Sequence, residues 1–227
     1  MKGGGPLLVQ KVRTPVIARK TAFSVALALV FSGCTQTGEI ALGGITAIRT
    51  ACPAVAVPAA TGDVTLFSPE SSQDQSALDV TALITNVRST CTDVGENVQT
   101  VVTFDVRARR TDAGAARDVV LPYFITVLQG GTAVVAKRIG HVDVHFDAGQ
   151  ERSSTTGQAT ANVVRSAATL PPETRKLLVK IRKAGGEDAA VDQLSRPEIR
   201  QAVQRATFEA LVGFQLTDAQ LKYNATR

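Results

Sequence analysis

Leu78-Asp79-Val80-Thr81-Ala82-Leu83-Ile84 and, beyond the turn Asp93-Val94-Gly95-Glu96-Asn97, Thr100-Val101-Val102-Thr103-Phe104-Asp105-Val106-Arg107-Ala108 are the stretches that decide the fold. Leu78, Val80, Ala82 and Ile84 recur at a period of two, and so do Val102, Phe104, Val106 and Ala108. In an extended chain that period puts the apolar side chains on one face. Thr103, Asp105, Arg107 and Arg109 fall on the other, which predicts a solvated side. A helix would need a period near 3.6. With turn chemistry between them, the two runs predict a half-buried hairpin, its first strand reaching Cys91.

The same punctuated pattern continues in both directions. Upstream, Ala54–Val57 and Val64–Ser68 bracket Pro58 and the turn Thr61-Gly62-Asp63, and 69–76 is a polar loop. Downstream, Val119–Leu128 is apolar enough for burial on both faces, and Pro122 belongs at a bulge or an edge position. Gly130-Gly131 signals a two-residue hairpin into Thr132–Ile139. His141–Phe146 prolongs that strand past Gly140, a candidate bulge. The Ser/Thr-rich residues 151–166 read as an edge strand, and Thr207–Leu216 as the last strand.

Residues 171–206 have a different character. Pro171-Pro172-Glu173 opens a helical run over Leu177, Leu178 and Ile181, with Arg182 and Lys183 in its last turn and Gly185-Gly186 as the stop. Ser195-Arg196-Pro197-Glu198 has the spacing of a capping box for a second helix. Thr217-Asp218-Ala219-Gln220 repeats that logic for a short terminal helix over Leu221 and Tyr223. The expected fold is mainly β. It is an Ig-like antiparallel β-sandwich of seven to eight strands, with a helical insertion at 171–206 before the last strand and a short C-terminal helix.

The N-terminus carries an address. Lys2, Lys11, Arg13, Arg19 and Lys20, with no acid, precede the apolar stretch Thr21–Phe31. That stretch is shorter than the roughly 20 residues a spanning helix needs. Small Ser32 and Gly33 then lead into Cys34. The run Phe31-Ser32-Gly33-Cys34 resembles the lipobox of a bacterial lipoprotein precursor, with Phe31 where Leu is usual. The resemblance covers the first 34 of 227 residues. It implies removal of residues 1–33, a diacylglycerol on the Cys34 sulfur, a Gly/Ala/Thr-rich tether over 34–51 and a domain over 52–227. Thr35 after the cysteine implies carriage to the outer membrane, on its periplasmic face. The run Leu211–Thr217 with Tyr223-Asn224 is also similar to the endings of uncharacterised envelope lipoproteins.

Composition takes its meaning from that leader. The formal charge of +5 arises from 25 Lys/Arg against 20 Asp/Glu. The leader holds five of the cations and none of the acids, so the remainder is neutral and nothing in it points to nucleic acid. Export to an oxidising compartment makes a Cys52–Cys91 disulfide the default, closing a loop worth about 3.5–4 kcal/mol in the chain-entropy model. A reactive thiol or a metal pair is the competing reading, without a CxxC spacing or a nearby His to support it.

His141, Asp143 and His145 are the candidate metal ligands, because an extended strand sets them on one face with Asp147. Neighbours two apart lie about 6.6 Å from each other, whereas His141 and His145, about 13 Å apart, need a bulge to share an ion. A solvated polar face opposite Val142, Val144 and Phe146 accounts for the same alternation. The segment 171–206 carries eight Lys/Arg against five Asp/Glu, with Arg175, Lys176, Lys180, Arg182 and Lys183 clustered. That cluster is a candidate surface for anionic lipid, acidic cell-wall polymer or an acidic partner, or else an ordinary solvated helix face. No phosphate loop, dinucleotide fingerprint, nucleophile elbow or zinc-protease helix is present, and no cofactor is implied. The expected function is that of a lipid-anchored, non-catalytic structural or interaction module of an envelope assembly or export complex, with a protein partner in the envelope. The alternatives are a small-ligand or metal-binding lipoprotein and an envelope hydrolase.

Overall fold

The alternating runs become strands β3 (Leu78–Val94) and β4 (Asn97–Arg110), paired antiparallel around the two-residue turn Gly95-Glu96. Gly95 has φ +58°, a left-handed conformation that glycine takes without steric cost. The computed structural model describes residues 50–179 and 192–226. The leader, Cys34, most of the tether, Lys180, Arg182, Lys183 and the Gly185-Gly186 stop lie outside the described residues.

Two four-stranded sheets pack face to face. One has the order β2-β3-β4-β7, with β2 at Asp63–Phe67 and β7 at Arg152–Val164. The other has the order β1-β8-β5-β6, with β1 at Ala54–Ala56, β5 at Arg117–Gln129, β6 at Ala133–Phe146 and β8 at Phe208–Phe214. The inward rows meet in one apolar cluster: Val80, Ala82 and Ile84 of β3, Val102, Phe104, Val106 and Ala108 of β4, Leu121, Ile125 and Val127 of β5, and Ala210, Val212 and Phe214 of β8. The sandwich of eight strands, the helical segment before the last strand and the C-terminal helix are as the sequence predicts. All neighbours are antiparallel except β1 with β8, which run parallel. Consecutive β2, β3 and β4 form a meander within one sheet, unlike the strand order of an immunoglobulin domain.

Several local expectations are corrected. β5 is not buried on both faces: Val120 is exposed, and Phe124 and Leu128 are only half-buried. Pro122 lies inside this central strand, not at an edge or bulge. Its carbonyl accepts from the Gln215 amide just past the last β5–β8 pair, Tyr123 with Phe214. The proline ring therefore sits where the β8 ladder ends, so no pairing amide is lost in mid-ladder. The β5–β6 connection contains Thr132 as well as both glycines, and the register slips between Val127 and Leu128. Gly140 marks no bulge; it pairs in register with Tyr123. A Cβ there would stand 2.6 Å from the Tyr123 ring, so the glycine makes room for the aromatic side chain above it.

The helices are α1 (Pro172–Val179), α2 (Pro197–Arg205) and α3 (Asp218–Thr226). α2 buries Ile199, Ala202 and Val203. The capping box expected at its start does not form. Pro197 begins the helix, and Ser195 belongs to a preceding 3₁₀ turn in which its hydroxyl donates to the Asp192 carbonyl. At α3 the box does form: the Gln220 amide donates to the Thr217 hydroxyl at 3.2 Å and the Thr217 amide to the Gln220 side chain at 2.9 Å. Tyr223 then meets Phe67 edge-on, and Asn224 donates to the Ala60 and Asp63 carbonyls, which fastens α3 over β2. Leu221 stays largely exposed. Cys52 and Cys91 form the expected disulfide, with Cα atoms 6.0 Å apart.

Candidate functional site

β6 alternates as its sequence dictates, with Val142, Val144 and Phe146 buried and His141, Asp143 and His145 exposed on the outer face. Register then decides what each polar residue meets. His141 lies opposite Pro122 and Asp143 opposite Val120, and neither neighbour offers a ligand atom. His145 lies opposite Asp118, and its Nδ1 is 2.6 Å from the Asp118 carboxylate. Its Nε2 is 3.4 Å from the Asp147 carboxylate. The metal set His141, Asp143 and His145 is therefore not brought together. Among the described residues no three His, Cys, Asp or Glu side chains are grouped to hold an ion.

What the strand builds instead is an imidazole between two carboxylates. The hydrogen bond to Asp118 and the charges of Asp118 and Asp147 push the His145 pKa above the ordinary imidazole value. All three side chains are well exposed, so solvent screens the pair strongly. The nearby Ser153 hydroxyl donates to the His145 backbone carbonyl and not to the ring.

Beneath this cluster lies a residue that the sequence reading missed. Arg110, 1% exposed, continues the inward row of β4 beyond Ala108. Its guanidinium donates to the carbonyls of Gln150 at 2.7 Å, Ala115 at 2.6 Å, Asp147 at 2.8 Å and Gly114 at 3.4 Å. It also stands 5.3 Å from the centre of the Phe146 ring. One side chain thereby ties the β4–β5 and β6–β7 connections together and fixes the backbone that carries Asp147. The available signal was an inward position occupied by a cation where the pattern calls for an apolar residue.

Of the basic cluster, Arg175 and Lys176 are described, and both are exposed on α1. Lys176 pairs with Glu173 at 3.1 Å. α1 buries no residue, and Leu177 and Val179 are exposed beside the cations.

The sheet edges complete the surface. β7 is the edge strand expected from 151–166, and β6 is the edge of the other sheet on the same side. The opposite side is closed: β1 and β2 are short, α3 lies over β2, and the disulfide joins the start of β1 to β3. β6 and β7 span 14 and 13 residues, long edges by the standards of globular proteins. No protein-family model, curated protein or solved structure matches this chain.

Proposed function

We propose that the protein is a lipid-anchored outer-membrane lipoprotein whose β-sandwich acts, without catalysis, as a structural or interaction module of a cell-envelope assembly or export complex. The observation that carries this reading is the asymmetry of the sandwich. One side is locked by the disulfide and α3, while the other presents two long edge strands. Edge strands of that length are ready templates for a partner's backbone. A disulfide in the domain accords with residence in an oxidising compartment. The lipobox-like Phe31–Cys34 supplies the anchor in this reading.

Mass spectrometry of protein purified from native membranes tests the anchor. The expected N-terminus is Cys34 bearing acyl chains; an intact leader or a free thiol at Cys34 refutes it. Affinity capture from solubilised envelopes tests the module, with a stoichiometric protein partner expected and none across several detergents as the contrary result.

A further inference from the structure

We infer that the free edge of β6 over Ala133–Ile139 accepts an extended, acidic strand from a partner protein, which extends the β1-β8-β5-β6 sheet by one strand. This inference rests on the interaction-module reading above and identifies the edge and the chemistry of its occupant. All residues from 133 to 139 are exposed, on both faces of the strand. Val134 is 63% exposed, Val135 50% and Ile139 57%. Neither the opposite sheet nor α2 covers this half of β6, and among the described residues its backbone bonds only to β5. A solvated polar strand would satisfy its free amides with water at no further cost. A strand with three large apolar side chains in water gains by covering them. β7 differs, because its outward row is Ser, Thr, Gln and Asn almost throughout.

Charge selects the occupant. Lys137 and Arg138 lie within this stretch, and residues 129–142 contain no Asp or Glu. Among the described residues neither cation has an ion-pair partner, although Lys137 sits 5.2 Å from the centre of the Phe124 ring. At the hairpin tip a shallow cleft of about 280 Å³ lies between Gly130, Thr132 and Ala133 and the α2 residues Gln204 and Arg205. Arg205 adds a third exposed cation there. A second copy of this chain would bring Lys137 and Arg138 against their own counterparts, so self-pairing is opposed. Lys137 and Arg138 point to opposite faces of β6, each beside an exposed valine or isoleucine. A strand that alternates carboxylates with apolar residues therefore sets its carboxylates against one cation and its apolar side chains against the apolar surface of the other face, whichever way it docks.

The test uses the detergent-solubilised full chain and two short synthetic peptides, one alternating valine with glutamate and one alternating valine with lysine. The glutamate peptide is expected to bind and to slow amide exchange across residues 133–139 while leaving β7 unchanged. The double variant K137E/R138E should weaken it about tenfold and favour the lysine peptide, since rim charges set such preferences. Reversal of Arg175 and Lys176 should leave the affinity as it was. Absence of binding, equal affinity for both peptides, protection at β7 instead, or protection that grows with protein concentration without peptide (self-pairing) overturns the inference. Capture from envelopes separates the two levels. A partner retained by both wild type and K137E/R138E overturns the β6 edge and leaves the module reading standing; no partner with wild type overturns the module reading itself.

Discussion

Arg110 stands where the inward alternation of β4 would place one more apolar side chain, and its neighbours explain why it is tolerated. Four backbone carbonyls accept its N–H groups, so a buried cation is solvated by peptide dipoles in place of water. Replacement by Met keeps much of the stem but strands those carbonyls; Arg110→Met should lower stability by about 2–4 kcal/mol, read from urea unfolding. The two glycines under the aromatic side chains make a second point of the same kind. Phe104 lies opposite Gly157 and Tyr123 opposite Gly140, and the two rings meet edge-to-face across the sandwich at 5.1 Å. A Cβ on Gly157 would come within 2.3 Å of the Phe104 ring. Gly157→Ala should therefore cost about 1–3 kcal/mol through overpacking, visible as a lower thermal midpoint. The Tyr123 hydroxyl donates to the Gln158 carbonyl, and burial pushes its pKa up. His145 was legible as a polar outer-face residue, but its partner Asp118 is 27 positions away and follows only from the β5–β6 register. Its pKa is raised in the folded state, so the imidazolium–carboxylate contribution is full below the unfolded value and fades as pH rises through the folded one. NMR titration should place His145 above the ordinary imidazole range, and Asp118→Asn should bring it back down; an unchanged midpoint in that variant would falsify the assignment.

At the scale of the element, the strands were legible because each half-buried strand writes its own period of two, and the turns Gly95-Glu96 and Gly130-Gly131 punctuate it. Helix starts were less secure. Of the two Ser/Thr-x-x-Glu/Gln spacings at the expected helix starts Ser195 and Thr217, only the one at Thr217 closes. The difference is local: at Ser195 the chain is already committed to a 3₁₀ turn that uses the hydroxyl, whereas Thr217 lies outside any such turn, between β8 and α3, and its hydroxyl accepts from the Gln220 amide. Loss of that cap should loosen α3, which holds β2 through Tyr223 and Asn224. Thr217→Ala is expected to cost about 1 kcal/mol. Exchange of the Asn224 side-chain amide protons should quicken in that variant if the cap secures the helix, and an unaltered rate would show that α3 is held by its packing alone. Pro122 and Gly140 were misplaced for a shared reason. Each is a general strand breaker, and only the neighbouring strand, which the sequence does not display, shows whether a proline meets a ladder's end or a glycine meets an aromatic ring.

For the molecule as a whole, pairing between distant strands decides what periodicity cannot. That β6 and β7 lie on one open side, and that β1 and β2 belong to different sheets, emerges only from the assembled topology. The sequence placed one edge strand at 151–166 but left the longer, more apolar edge of β6 unrecognised, because exposure of Val134, Val135 and Ile139 depends on where the opposite sheet stops. The disulfide is the counterpart of that openness. The second half of β3, Arg88–Val94, extends past the last β2 pair and, among the described residues, pairs as a strand with β4 alone. Cys91 sits in this half-supported stretch, and its bond to Cys52 closes a loop with a sequence separation of 39 between the start of one sheet and the end of a strand in the other. Neither cysteine belongs to the apolar cluster, so removal should leave the core intact and act mainly on the unfolded chain. The double variant Cys52→Ser/Cys91→Ser should lose about 3.5–4 kcal/mol, and wild type in strong reductant should lose the same amount. Because the loss is of global stability, amides of residues 102–108 of β4, which exchange by complete unfolding, should quicken by the equivalent of the same loss, about 3.5–4 kcal/mol. Acceleration confined to β1 and residues 88–94, with the core amides unchanged, would mean that the bridge acts on local opening of the closed side and not on the unfolded chain.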